Sequence, residues 1–453
     1  MAVLLDPDWL AQRLSSVSVK GIASTTANLI REGQIAIGTQ LPAVRTLAEK
    51  LGVSPATVSA AWSQLKRQKV IAGKGRGGVW VCGNNVTPGP VRFETIGNYG
   101  DNVKANLAMA VPDPALLPDL SEALLKGAKS PALNSYRREP IAPPLLEAIK
   151  PGWPVDSGSF MATNGGFEAM NLIVQTLLSP GDRVIIEDPT ATRLLDMLDN
   201  AGAEILPLPC DEEGPQPDAL RLLLNKKPVM FIHQPRTHSA TGNTVSKARS
   251  AALSQALIHS SILIVEDDGI GELSCHAVWS LGRYYPERTL YVRSYSKAYG
   301  PDLRLAVISG PASLLKRIQS WRQFGASWTS RILQEAVAWM LHDPATQQQL
   351  QLARKTYAQR RQLLIEALAR RGLHLPQRDG LSVCIPVASE QFAMITLAAR
   401  GIAALPGERC RSAGSQFIRV STSLIPPQQI ASIADALVLA TGMDLAAGAK
   451  SDI

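Results

Sequence analysis

The chain has 453 residues, 45% of them apolar, and a formal net charge of +8. That length exceeds the size at which one hydrophobic core stops growing, so two or three domains are expected, and no window approaches the ~20 uninterrupted apolar residues of a membrane span. The opening MAVLLDPDWL has neither a basic leader nor an apolar h-region, and the five cysteines are scattered without CxxC spacing, so secretion and a zinc site are disfavoured and reduced thiols in a cytoplasm are expected.

Basic charge is concentrated at the front. Residues 1–83 carry ten Lys and Arg against four Asp and Glu, a net +6 on under a fifth of the chain. Such a concentration is the electrostatic footprint of a polyanion, because neutralising phosphates releases condensed counterions. IASTTANLIREG reads as a helix stopped at Gly33, and TQLPAVRTLAEKLGV as a turn, Pro42 at a helix start and a short helix closed by Gly52. SPATVSAAWSQLKRQKVI supplies Ser54 as N-cap, Pro55 at the first helical position and Val58, Trp62 and Leu65 on an inner face. Two short helices joined by a tight glycine turn form a helix-turn-helix. Ser54, Thr57 and Ser59 are left outward at the start of the second helix, where base and phosphate contacts arise in a major groove. VIAGKGRGGVWVC then reads as a two-stranded ribbon with a basic tip, Lys74 to Gly78, which makes a wing.

LPAVRTLAEKLGVSPATVSAAWSQLKRQKVI followed by GKGRGGVWV resembles the winged helix-turn-helix of the GntR family of bacterial transcription regulators, over residues 16–82. The resemblance implies that Arg45, Ser54 and Thr57 contact operator DNA, with Arg76 and Gly77 from the wing. Pro55 and Ala56 stand where many relatives carry polar or basic residues, which implies thinner base reading.

Residues 83–103 hold turn formers, few aliphatics and no sustained period, and read as a linker. Beyond them RVIIED, VMFIH, SILIVEDD, TLYVRS and RLAVISG read as strands separated by helical patterns, which predicts a parallel α/β sheet with helices on both faces. Ligands of such sheets sit at the carboxyl ends of the strands. There Lys297 follows the strand TLYV, Asp267 ends LIVEDD, and Gly165 and Gly166 precede an amphipathic helix whose free amides and dipole suit a phosphate. Arg304, in DLRLA, returns toward the same cleft and suits bidentate phosphate binding. A lysine to form an imine, a carboxylate for a protonated ring nitrogen, and amides plus a guanidinium for a phosphate are the parts that pyridoxal 5'-phosphate (PLP) requires.

In chain order VPDPALLPDL, TNGGFEAMN, PGDRVIIEDP, HQPRTHSATGN, IVEDDG, SYSKAYGPDLRLA and FIRVSTS resemble the landmarks of fold-type-I aminotransferases. With the GntR-type reader in front, residues 16–445 are similar to the MocR subfamily of PLP-binding regulators. The resemblance implies a multidomain chain: an α+β winged helix-turn-helix at 1–82, a linker at 83–103, an α/β large domain of fold type I at 104–335, a small α+β domain at 336–446 and a tail at 447–453. It implies that Lys297 carries PLP as an aldimine, that Asp267 pairs with the pyridine nitrogen, and that Ser294, Arg304 and the amides of Gly165, Gly166 and Phe167 surround the phosphate. Arg419 matches the arginine that holds a substrate carboxylate, here that of an amino-acid effector, another B6 vitamer being the alternative. Tyr136 is expected to reach the phosphate of the neighbouring subunit in a homodimer.

Three departures bear on activity. Gly269 stands where the family has a tyrosine that hydrogen-bonds the ring oxygen, Ala191 where an aromatic stacks on the ring, and Ser239 where the enzymes have an asparagine. Losing a ring stack costs about 1 kcal/mol and losing the phenol contact about as much again, so binding is expected to survive and efficient transamination is not. The expectation is therefore a cytoplasmic PLP-sensing transcription regulator. A working aminotransferase with an autoregulatory DNA-binding domain is the alternative, and a DNA-binding protein with a vestigial pocket a third.

Overall fold

The computed structural model describes residues 4–14, 16–67, 70–73, 78–82, 90, 92, 103–156, 158–410 and 416–443. Arg76 and Gly77 of the wing tip, almost all of the linker and the tail 447–453 lie outside the described residues. The chain forms two units, Met1–Gly89 and Pro90–Ile453.

The first unit holds helices α1 (Pro7–Ala11), α2 (Val19–Arg31), α3 (Val44–Leu51) and α4 (Pro55–Arg67), with an antiparallel ribbon of β1 (Ile71–Ala72) and β2 (Trp80–Val81). Local chemistry sets the ends. Ser18 Oγ accepts from the Gly21 amide at 3.1 Å to start α2, and Gly52, at φ 64°, closes α3 in the left-handed conformation that a side chain disfavours. The Thr57 amide donates to Ser54 Oγ at 3.2 Å, capping α4. Val58, Trp62 and Leu65 then fall on one face and are buried with Ile22, Leu47 and Ala48. Pro42 lies two residues before α3 rather than in it, and its carbonyl accepts from the Trp62 indole at 3.4 Å, which satisfies a buried donor.

The second unit is built on an eight-stranded sheet. Its strands are β3 (Ser159–Thr163), β4 (Arg183–Asp188), β5 (Glu204–Asp211), β6 (Gly214–Pro215), β7 (Met230–His233), β8 (Leu263–Asp268), β9 (Thr289–Ser294) and β10 (Ala306–Gly310), in the order β3-β10-β9-β8-β7-β4-β5-β6. Strands β5, β4, β7, β8 and β9 run parallel, whereas β10 is antiparallel to both β9 and β3. The parallel expectation fails at the short β6, which turns back antiparallel on β5, and at β10, where the reason is simple. Only the 11 residues 295–305 join it to β9, too few for the dozen or more of a crossover, so the chain turns straight back.

Alternation along the strands explains their continuous apolar runs. Val184 and Ile186 pack on one face against α5 (Gly166–Leu177) and α6 (Thr192–Ala201), while Ile185, Phe231 and Ile264 pack on the other against Leu220, Leu253 and Leu257. The return from β9 to β10 contains a helical turn, α7 (Ser296–Tyr299). A second lobe has the antiparallel strands β11 (Ser382–Pro386), β12 (Leu405–Pro406) and β13 (Phe417–Ser421) in the order β11-β13-β12. Its core also takes Leu107, because Ala105–Asn106 pairs with Ile402–Ala403. A helix over Pro344–Ala369 serves both cores, with Leu350, Ala353 and Tyr357 in one and Leu364, Ile365 and Leu368 in the other. This helix thus contributes to both cores, and residues 105–107 pack with the later lobe. Among the described residues no helix is long and apolar enough to cross a membrane.

Candidate functional site

Strand β8 delivers two adjacent acids to the carboxyl edge of the sheet, and alternation turns them to opposite sides. Asp268 is fully buried and accepts from Arg236 Nε at 3.0 Å, from a second Arg236 nitrogen, from the Tyr291 hydroxyl at 2.6 Å and from Arg293 Nε at 3.3 Å. Burial alone would favour its neutral form, but Arg236 and Arg293 hold it below the usual carboxylate range. This acid is structural. Asp267 instead accepts from the Gln234 side-chain amide at 2.7 Å. Burial pushes Asp267 up to about 6, opposed by that hydrogen bond and by the charge of Lys297. In turn, burial brings the Lys297 amine down to about 8, with the Arg419 charge adding to the effect and Asp267 opposing it.

The remaining predicted residues fall into three places. Gly165, at φ 98°, precedes α5, and a Cβ there would lie 3.0 Å from Arg304 Nη2. A Cβ on Gly166 would lie 3.2 Å from that of Ser294. Only glycines let these side chains approach the helix start, so Gly165, Gly166, Ser294 and Arg304 form one cradle. Arg304, itself at φ 44°, donates to the Asn164 carbonyl at 3.0 Å. Phe167 follows in the first turn of α5, with its ring under the Arg193 guanidinium at 4.5 Å. Arg419, on β13, donates to the Ala108 carbonyl at 2.9 Å. Tyr136 stands apart: it is 89% exposed and meets Trp328 edge to face at 6.2 Å.

Gln234 and Arg193 escape the sequence reading. Gln234 is buried at the end of β7, where its Oε1 accepts from the Ser239 amide at 2.8 Å and its backbone N–H donates to Glu187 Oε2 at 2.7 Å. Burial raises Glu187 to about 8 and lowers neighbouring His238 to about 3. Since His238 Nδ1 accepts from the Thr241 amide at 3.2 Å, the ring is neutral with its proton on Nε2, 3.5 Å from Glu187. A Cβ on Gly269 would meet Asp267 Oδ2 at 3.6 Å and Gln234 Nε2 at 3.7 Å, so this departure faces the same cleft. Ala191 lies at the start of α6, directly before Thr192. In the first unit Arg45 is exposed on α3, and Ser54 Oγ lies 3.0 Å from Thr57 Oγ1 at the start of α4.

Residues 104–437 match the family described as aminotransferase class I and II, and residues 20–81 match the gntR family of bacterial regulatory proteins. The chain is 32% identical over 401 residues to the vitamin B6 salvage pathway transcriptional repressor PtsJ of Salmonella typhimurium, covering 87% of this chain and 91% of that protein. It is 27% identical over 327 residues to the HTH-type transcriptional regulator YjiR of Escherichia coli, covering 64% and 68%. Among solved structures it is similar in fold to the α-aminoadipate aminotransferase LysN of Thermus thermophilus complexed with N-(5'-phosphopyridoxyl)-L-leucine. There the TM-score is 0.68 at 20% identity, over 85% of this chain and 99% of that one.

Proposed function

Because the chain belongs to the MocR subfamily of GntR-type transcription regulators, a gntR reader fused to a class I and II aminotransferase domain of the pyridoxal phosphate type, we propose that it acts in the cytoplasm as a homodimer whose operator binding responds to PLP. The observation that carries this reading is the meeting of Lys297, Asp267 and the Gly165 to Arg304 cradle at one sheet edge in a chain that begins with a DNA reader. When bound, PLP supplies a carbonyl that an amine captures reversibly, a basic ring nitrogen and a phosphate. Lys297 provides the amine, Asp267 the negative partner for the protonated ring nitrogen, and Ser294, Arg304 and the amides of Gly165, Gly166 and Phe167 hold the phosphate. Arg419 serves a carboxylate of an amino-acid effector. Gly269 and Ser239 offer neither the phenol nor the amide that transamination uses, which favours sensing over turnover.

The dimer is supported by an exposed aromatic surface. Phe324 is 90% and Tyr136 89% exposed, and the loop carrying Tyr136 is tied to the same region by Gln319, which donates to the Arg138 carbonyl at 3.3 Å, and by Arg331, which donates to the Ser135 carbonyl at 2.8 Å. Exposed apolar patches of this kind mark interaction sites. In the dimer Tyr136 reaches the phosphate in the partner's site.

Two results are expected here. Capture of PLP by the cofactor-free protein rises with pH between about 6 and about 8. Asp267 must be ionised to pair with the ring nitrogen, and raising the pH through about 6 ionises it; Lys297 must shed a proton to act as a nucleophile, and raising the pH through about 8 neutralises it. Stopped-flow growth of the visible band from about pH 5 to 9 measures this, and a flat profile contradicts it. Arg45→Ala lowers operator affinity and reduces the log-log salt slope by ~0.9, the share of one phosphate contact. A wild-type slope in that variant places the DNA surface elsewhere.

A further inference from the structure

We propose that Gln234 is a positioning residue for the cofactor ring: it occupies one oxygen of Asp267, leaves the other to the ring nitrogen, and ties that carboxylate to the second lobe through the turn 237–242. This inference rests on the PLP reading above and deepens it. Gln234 is 6% exposed, and three contacts fix it. Its backbone N–H donates to Glu187 Oε2 at 2.7 Å, its Oε1 accepts from the Ser239 amide at 2.8 Å and its Nε2 donates to Asp267 Oδ2 at 2.7 Å. The Ser239 contact sets the orientation of the side chain. A backbone N–H can only donate, so the oxygen of Gln234 must face Ser239 and its NH2 group must face Asp267. That group in turn needs an acceptor, so Oδ2 carries no proton and the contact selects the ionised carboxylate. Burial is the main influence raising Asp267, and the Gln234 hydrogen bond is the largest influence opposing it. Of the other groups that face this acid, Asp268 from the same strand adds to the rise and Lys297 from α7 opposes it, while Glu187 from β4, raised chiefly by burial, also feels the Asp267 charge.

Ser239 lies in a turn that the second lobe holds from the other side. Asp379, in the loop before β11, accepts from the Thr237 hydroxyl at 2.9 Å, and its backbone N–H donates to the Gly242 carbonyl at 3.3 Å. Cys384, on β11, donates from Sγ to the Ala240 carbonyl at 3.1 Å. A Cβ on Gly242, which has φ 74°, would overlap the Asp379 carbonyl oxygen, so only glycine lets loop and turn come this close. Cys384 is itself paired in register with Arg419 of β13. One hydrogen-bonded bridge therefore runs from the carboxylate at the cleft to the strand pair that carries Arg419. The backbone of Gln234 is held by Glu187, so its side chain keeps Asp267 only while Ser239 stays in place. A turn that moves with the second lobe frees the amide to reorient, and Asp267 then loses its firmest support against burial. The hold on the ring thus depends on where the second lobe sits.

The test uses the full-length protein with Gln234→Met, Asp379→Ala and the double variant, each titrated with PLP by the visible band from about pH 5 to 9. Methionine is close to glutamine in size and can neither donate to Asp267 nor hold Ser239 firmly. Losing the donor disfavours the ionised acid, so the limb of the pH profile near 6 is expected to move up by about one pH unit, while the limb near 8, set by Lys297, stays. The loss of PLP affinity then approaches about 10-fold below pH ~6 and vanishes above pH ~8. A midpoint does not depend on how much protein is folded, so damaged packing would lower the amplitude and leave the limb near 6 in place. Asp379→Ala is expected to weaken PLP about 3-fold or more at pH ~6 in the wild-type background and to add little in Gln234→Met, because two residues that act through one bridge are not additive. A wild-type profile with no limb near 6, a limb that Gln234→Met leaves in place, or losses that add in the double variant overturns the proposal. Wild-type protein that takes up no PLP at Lys297 brings down the PLP reading itself and this inference with it. Uptake at Lys297 with an unmoved limb brings down the inference alone.

Discussion

Lys297→Ala is expected to abolish the yellow visible band that the wild-type protein acquires with PLP, and to leave no adduct for borohydride to fix. The reason lies in the proton on the amine. An ordinary lysine is neutral in roughly 0.3% of molecules at pH 8, whereas burial and the Arg419 charge bring Lys297 to about 8, so that about half carries the free electron pair at that pH. The substitution acts on Asp267 as well. Lys297 is one of two influences keeping that carboxyl from rising further than about 6, and without it the acid shifts toward its neutral form and loses its attraction for a protonated ring nitrogen. Lys297→Arg separates the two effects, since it keeps the charge beside Asp267 and removes the nucleophile. Peptide mapping of the borohydride-treated wild type checks the assignment, and an adduct on any other lysine overturns it.

How far the residues announce this site depends on how local their causes are. Helix α4 is legible because Ser54, Pro55 and the spacing of Val58, Trp62 and Leu65 are all decided within about three turns of chain. The cradle is legible only in company: two adjacent glycines before an amphipathic helix are weak evidence alone, and they point to a phosphate once Arg304 and Lys297 fall at the same strand ends. Which of Asp267 and Asp268 faces the cleft is a different matter. Both close β8, and the choice is made by Arg236 from the loop after β7 and Arg293 from β9, which claim Asp268. Gln234 finds Asp267 across 33 residues of chain, and Arg193 finds Phe167 across 26, so neither carries a local signature. The direction of β10 hides for another reason. RLAVISG alternates identically in either orientation, and the clue sits in the short connection before it.

PLP is expected to change the affinity of the full-length protein for a two-half-site operator by between about 5-fold and 150-fold, the usual range of coupling free energies. A dimer carries two winged helices, and two readers require half-sites placed by the helical repeat of DNA, about 34 Å apart for each turn. For PLP to act as a signal it must bind one arrangement of the dimer better than another, and its effect cannot exceed that difference in affinity. Linkage makes the effect reciprocal: operator DNA must shift PLP affinity by the same factor and in the same direction. Cofactor-assisted folding obeys the same linkage, so it is separated by the circular dichroism of the cofactor-free protein: a native spectrum without PLP leaves coupling as the cause. Operator titrations of wild type and Lys297→Ala, each with and without PLP, and PLP titrations with and without operator, measure both sides of the cycle. Matching factors in wild type, and a factor near one in Lys297→Ala, establish PLP as the signal. Equal operator affinities with and without PLP in the wild type reduce it to a structural passenger, and an unfolded cofactor-free spectrum that PLP restores points to a protein that PLP folds rather than switches.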